Sequence, residues 1–256
     1  MVLESYLRTR LEKRDLLLMT HIVVGYPSFE DCFRIIGAMV RVGVDLMELQ
    51  IPFSEPIADG PVILRANQEA LEKGATVREC LDFVQRVARS FPIPFLVMTY
   101  YNILFKYGVD RFVSEMAAKG LHGAIVPDLP PEEGEEYLRA METHALAPIF
   151  TFSPTTHDDR MTYIASLARG FIYCIARKGV TGANTAFSKE MERYLARCRK
   201  ATHLPLALGF GVKEKTDMDF LRGKVDMAVI GSEMLRVLER DGVDAIEGFI
   251  RGLRNP

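Results

Sequence analysis

The sequence predicts an α/β chain folded as a closed (β/α)8 barrel with an additional N-terminal helix, and three observations predict it. Short apolar runs rich in β-branched and aromatic residues alternate with longer stretches of helical period, the pattern of βα units around a parallel sheet. Eight such runs are present, and 256 residues divided by eight leaves 32 per unit, the size this barrel requires. No Ser/Gly linker, low-complexity segment or run of like charge marks a boundary, so residues 1–256 read as a single domain. A doubly wound open sheet is the alternative architecture.

The strand cores fall at 17–24, 44–51, 94–100, 122–127, 147–152, 171–176, 204–208 and 225–230. Residues 3–13 place Leu3, Tyr6, Leu7 and Leu11 on one face, which predicts a helix able to cover the bottom of the barrel. The first helix after a strand opens at Ser28 or Phe29, with Phe33, Ile36, Met39 and Val40 on its apolar side. Leu16 to Val24 follows several basic residues, but acidic residues are mixed among them and Gly25-Tyr26-Pro27 is a turn rather than a cleavage site. The run is too short to cross a bilayer and reads as a buried strand.

Composition narrows the function. The chain is 48% hydrophobic and 26% charged, with 32 basic and 34 acidic residues spread along it, so no footprint for nucleic acid or an anionic membrane is visible. Cys32, Cys80, Cys174 and Cys198 lie far apart and match no metal-ligand spacing, which fits a reducing compartment and a cytoplasmic protein with no metal site.

In such a barrel the active site forms at the C-terminal ends of the strands. Alternation along the second strand puts Val44, Leu46, Glu48 and Gln50 on one face and the apolar Met47, Leu49 and Ile51 on the other. The all-apolar file must meet the helices, so Glu48 points into the barrel. A carboxyl desolvated there has a raised pKa and suits proton transfer, although an interior Glu held in a salt bridge would read the same way. Asp59 lies in a turn bearing Pro and Gly, where by itself it is more readily a turn former or the N-cap of a helix beginning at Pro61 than a candidate for chemistry.

A second feature is a glycine set. Gly179-Val180-Thr181-Gly182 follows the sixth strand, Gly209-Phe210-Gly211 ends the seventh, and Gly231-Ser232 opens a helix after the eighth. Glycines let a backbone approach a phosphate and a helix N-terminus offers free N–H groups, so the set points to a phosphorylated small molecule. Glycine is also the ordinary way to leave a strand. The histidines His122, His144, His157 and His203 fall at helix ends or loops with no ligand partners nearby, while His21 sits inside the first strand.

The stretch from Met47 to Pro61 resembles the signature of the tryptophan synthase α-subunit family, Leu-Glu-Leu-Gly-X-Pro-Phe-Ser-Asp-Pro-X-Ala-Asp-Gly-Pro. Gly25-Tyr26-Pro27, Met98-Thr99-Tyr100-Tyr101-Asn102, Pro127-Asp128-Leu129-Pro130-Pro131-Glu132-Glu133 and Gly179-Val180-Thr181-Gly182 fall in family order, so the resemblance covers essentially the whole chain. It implies a lyase that splits indole-3-glycerol phosphate into indole and glyceraldehyde-3-phosphate in tryptophan biosynthesis. Glu48 then matches the acid/base glutamate, Asp59 the aspartate facing the indole nitrogen, and Tyr173 the tyrosine of strand six. Thr181 matches the threonine that meets the aspartate on loop closure. Gly182, Gly211, Gly231 and Ser232 match phosphate-holding positions, and Met98, Tyr100, Ile125 and Phe210 match the wall around the indole.

The resemblance further implies no cofactor in this chain and a β-subunit partner in an α2β2 complex, with pyridoxal phosphate only in that partner. Loops 53–60 and 177–188 are expected to be mobile until ligand and partner close them. Departures from the pattern are His21 in place of an apolar or aromatic residue, Gln50 for Gly, Glu55 for Asp, and Ala176-Arg177-Lys178 for a Ser-bearing stretch. Gln50 is expected to crowd the substrate or to hydrogen-bond the catalytic carboxyl. A stand-alone lyase and a degenerate subunit that only activates its partner are the competing readings, and retention of Glu48, Asp59, Tyr173 and Thr181 argues against the second.

Overall fold

The computed structural model describes residues 2–176, 189–209 and 211–254. In chain order the elements are α1 (Leu3–Leu11), β1 (Leu17–Val23), α2 (Phe29–Arg41), β2 (Leu46–Gln50), α3 (Pro61–Glu72), α4 (Val77–Ser90), β3 (Phe95–Met98), α5 (Tyr101–Tyr107), α6 (Val109–Ala118) and β4 (Gly123–Ile125). A 3-10 turn at Pro131–Glu133 leads to α7 (Glu135–Thr143), β5 (Ala147–Phe152), α8 (Asp158–Leu167), β6 (Ile172–Ile175), α9 (Lys189–Ala201), β7 (Leu206–Gly209), α10 (Lys215–Leu221), β8 (Met227–Ile230), α11 (Ser232–Asp241) and α12 (Ala245–Arg254). All eight expected strands are present; β5 matches its apolar run in full, β7 is shifted to end one residue later, and the others are shorter than their runs.

Every strand pairs in parallel with the next and β8 pairs back onto β1, closing a TIM barrel. The open-sheet alternative is excluded because β1 has no free edge: Leu17 to Thr20 pair with Met227 to Ile230 while Met19 to Val23 pair with Leu46 to Gln50.

Strand alternation sorts the apolar residues into two layers. Leu17, Met19, Leu46, Leu96, Met98, Ile125, Ile149, Ala207, Met227 and Val229 fill the interior, and their neighbours in sequence pack outward against the helices. The interior includes Leu3 and Leu7 of α1, so this helix does close the lower end. Burying an aliphatic side chain of that size contributes about 1.5–3 kcal/mol, which is what pins a short, weakly amphipathic helix there.

Local signals account for the helix starts. Ser28 caps α2 by accepting from the Asp31 N–H at 3.0 Å, and Thr76 with Glu79 forms a reciprocal capping box on α4. Below the barrel, fully buried Asp45 accepts hydrogen bonds from Arg10 and Arg14 near the chain start and from Arg254 near its end. This cluster ties α1 and α12 to the base of β2. The four cysteines are unbridged and buried, all of them among the described residues.

Candidate active site

The upper interior of the barrel is polar where the lower interior is apolar. His21 is four residues after Leu17 and Glu48 two after Leu46, so both point inward, and the parallel register sets them directly opposite each other on β1 and β2. Their side chains meet, with Nδ1 of His21 2.9 Å from Oε1 of Glu48, and both residues are almost wholly buried. Across the barrel Tyr173 of β6 donates its hydroxyl to the same carboxylate oxygen at 3.4 Å. Among the described residues both hydrogen bonds to Glu48 arrive at Oε1, which leaves Oε2 as the oxygen available to a substrate.

Glycine at 209 makes room for this arrangement. A Cβ there would lie 2.8 Å from the Tyr173 ring, so only a glycine lets the tyrosine cross toward Glu48. Burial, with the Glu48 charge and hydrogen bond and the Asp59 charge, holds the Tyr173 phenol well above its ordinary range, so it stays a neutral donor. For His21, burial by itself lowers the pKa, but the Glu48 hydrogen bond and charge, aided by Asp59 and Gln50, more than offset it and raise the imidazole above its ordinary value.

Asp59 is held by a different set of donors. Gln50 Nε2 donates to Asp59 Oδ2 at 2.7 Å and the Tyr100 hydroxyl donates to the same oxygen at 3.0 Å. Tyr100 also accepts from the Ala58 N–H at 3.1 Å and stacks on Phe53, with ring centroids 5.1 Å apart. Asn67 of α3 accepts from the Phe53 N–H at 2.9 Å. Loop 53–60 is therefore anchored at both ends by contacts that sequence pattern does not reveal. The N-cap of α3 is Gly60 rather than Asp59, and no side chain caps it, so the helix-capping alternative for Asp59 does not hold. Gln50 bonds Asp59, not the Glu48 carboxyl.

Glu48 and Asp59 border one cavity of about 580 Å3 at the C-terminal ends of the strands. Met98, Ile125 and Tyr173 form its inner wall, while Gly211, Gly231 and Ser232 line its rim. Tyr100 does not border it; fully buried, it acts on Asp59. Gly211 has φ of +78°, a left-handed conformation that favours glycine, and Gly231 is the N-cap of α11 with Ser232 as the first helical residue. Lys213 and Arg236 also line this rim. Sequence reading passed over both cations, although each follows a member of the glycine set by two to five residues. Thr181, Gly182 and Phe210, with Arg177, Lys178 and loop 177–188, lie outside the described residues.

A second cavity, of about 540 Å3, opens at the opposite end among Leu3, Leu138, Ala147 and Leu167, away from the strand ends where barrel chemistry is built. Among the described residues no group of three or more His, Cys, Asp or Glu side chains is placed to hold a metal ion, and no helix is long and apolar enough to cross a membrane.

A closed (β/α)8 barrel with two separately held carboxylates lining one cavity at the strand ends is the arrangement of a barrel enzyme's active site. Comparison with known proteins makes this specific. Residues 7–252 match the family model for the tryptophan synthase alpha chain. The chain is 59% identical over 253 residues to the tryptophan synthase alpha chain of Syntrophotalea carbinolica, covering 99% of this chain and 100% of that one. It is 60% identical over 252 residues to that of Desulforapulum autotrophicum, covering 98% and 100%. Among solved structures, tryptophan synthase from M. tuberculosis in its aminoacrylate-bound form superposes with a TM-score of 0.88 at 29% identity, over 98% of this chain and 97% of that one. The tryptophan synthase complex from Pyrococcus furiosus gives 0.84 at 26% identity, over 93% and 97%. The chain belongs to the tryptophan synthase alpha chain family. Its activity is that of a carbon–carbon lyase, cleaving indole-3-glycerol phosphate in tryptophan biosynthesis.

Proposed function

We propose that Glu48 transfers the protons of this cleavage, that Asp59 balances the charge developing on the indole nitrogen, and that the substrate phosphate sits against Gly211, Gly231 and Ser232. Thr181, Gly182 and Phe210 are proposed to complete the site, and Met98 and Ile125 to face the indole ring. The observation that carries this reading is that Glu48 and Asp59 border the same cavity while each is held by its own donors.

Breaking the bond from indole C3 to the glycerol carbon is a retro-aldol step. C3 gains a proton, the ring nitrogen carries positive charge, and the side-chain hydroxyl loses its proton as the C–C electrons return to the ring and a carbonyl forms. One carboxyl that moves protons through Oε2 and a second that stays beside the nitrogen supply what the step needs. Tyr173, kept protonated, donates to Glu48 and leaves the transferred proton to the carboxyl. Apolar Met98 and Ile125 lower the local dielectric and strengthen both interactions.

The reading includes a single cytoplasmic domain that needs no cofactor of its own and hands its indole to a β subunit in an α2β2 complex, where pyridoxal phosphate resides. The exposed Ile57 and Phe105 near the mouth offer an apolar surface for that partner. A specific observation also favours a stand-alone lyase: Gln50 and Tyr100 already hold Asp59 in the isolated chain.

Glu48→Gln tests the central assignment. The amide keeps the shape and removes the transferable proton, so indole release should fall by about 10²- to 10⁴-fold with an unchanged circular dichroism spectrum. Activity within a few-fold of the unmodified enzyme removes Glu48 from the mechanism.

A further inference from the structure

Two polar atoms in the wall beside Glu48 are buried and, among the described residues, unpartnered: Nε2 of His21 and Oε1 of Gln50. Burying a polar group without a partner is costly, so a pair of such orphans in one wall calls for an explanation. Their chemistry is complementary. The Gln50 amide nitrogen is committed to Asp59, which makes the orphan end an obligatory acceptor, and a protonated imidazole is a donor at both nitrogens. Nδ1–H then serves Glu48 and Nε2–H is offered toward the side of Gln50. Polar groups thus run from Glu48 through His21 and Gln50 to Asp59, joining the two carboxylates of the site.

We infer that His21 is a positioning residue that holds the working proton jointly with Glu48, so that the pair, rather than the carboxyl alone, is the acid–base unit of the cleavage. The inference rests on the proton-transfer role proposed for Glu48. In the resting site the proton lies on Nδ1 and is donated to Oε1. That proton passes from Nδ1 to the Glu48 carboxylate, and the carboxyl so formed turns to deliver it to indole C3, which leaves carboxylate and neutral imidazole. The proton leaving the glycerol hydroxyl restores the pair. One proton enters and one leaves per turnover, and no further reactant is required.

The groups facing this unit set its pH response. Glu48 from β2 and Asp59 from the loop after it favour the protonated imidazole, Tyr173 from β6 is held as a neutral donor, and Lys213 and Arg236 are cations lining the same cavity among the described residues. The raised pKa of His21 keeps the proton on the pair above the usual imidazole value of 6.5. The acid step is therefore retained to higher pH than an ordinary imidazole allows and lost as pH rises through that raised value.

The test is kcat and KM for indole-3-glycerol phosphate cleavage as a function of pH in the unmodified enzyme, His21→Phe and His21→Asn. His21→Phe should lower kcat at neutral pH by about 10- to 100-fold with KM within about threefold, and should move the descending limb of kcat to lower pH. His21→Asn restores an N–H donor to Oε1 but cannot carry the proton, so it should recover kcat at low pH while the limb stays displaced. A descending limb at the same pH in all three enzymes overturns the inference, whatever happens to kcat. Nitrogen NMR of the labelled imidazole in the unmodified chain gives a readout that needs no variant: both nitrogens protonated at neutral pH is the expected result, and a single neutral tautomer overturns it. If Glu48→Gln is inactive while the His21 variants keep the original profile, only the shared proton fails; if Glu48→Gln is active, the assignment of Glu48 itself fails.

Discussion

The side-chain amide of Gln50 donates to Asp59 Oδ2 at 2.7 Å, fastening a loop carboxylate to a strand of the barrel wall. Tyr100 adds a second hydrogen bond to that oxygen, so Asp59 is held before any partner binds. A hydrogen bond to a charged group contributes about 1.5–3 kcal/mol, so Gln50→Met, which keeps the volume and removes the donor, should lower kcat/KM by roughly 10- to 100-fold. Gln50→Glu should be worse, since it sets a like charge beside Asp59. Steady-state kinetics of the two variants decide the point, and an unaltered kcat/KM in Gln50→Met would remove Gln50 from any role in placing the carboxylate.

At the rim, Gly211, Gly231 and Ser232 should take up glycerol phosphate or inorganic phosphate, with Lys213 supplying charge. Calorimetric titration should show binding that competes with substrate, and Lys213→Ala should raise KM by a few-fold while leaving kcat near its starting value, the pattern of lost uniform binding. Absence of both heat and competition counts against this site.

A β subunit that prefers the closed form should raise the rate of cleavage by shifting the population of loop 53–60. The tethering of Asp59 limits how much remains to be gained, because part of the ordering is already present in the free chain. Indole formation followed while the cognate β subunit is titrated in should rise to a plateau at full complex. A rate that stays flat as the complex forms favours the stand-alone lyase.

Asp45 tests what holds the barrel's base together. It is fully buried and faces Arg10, Arg14 and Arg254, whose side chains keep a fifth to a third of their surface in water. Breaking a fully buried pair costs about 3–5 kcal/mol, and solvent screening of these arginines reduces that, so Asp45→Ala should destabilise the chain by about 2–3 kcal/mol. Denaturant unfolding should register the loss, while KM for the substrate, set at the other end of the barrel, should remain unchanged.

Much of this could be read from the chain alone, because it depends on residues close in sequence. Apolar runs of period two separated by helical stretches determine how many strands form, and alternation within 44–51 determines that Glu48 faces inward. The glycines after the seventh and eighth strands are likewise local, since they answer to the backbone's own conformational needs at the strand ends. The resemblance carried by Met47 to Pro61 identified the chemistry without any geometry.

Only the tertiary structure decided which groups hold these carboxylates. His21 and Glu48 are 27 residues apart and meet because the β1–β2 register sets them opposite each other. Tyr100 and Asp59 meet across 41 residues, and Tyr173 reaches Glu48 across 125. Side-chain partners at such separations depend on strand register, barrel closure and the space left by Gly209, none of which leaves a periodic trace in sequence. Sequence patterning selects the face on which a residue lies, whereas the identity of its neighbour on that face is set by packing of the closed barrel.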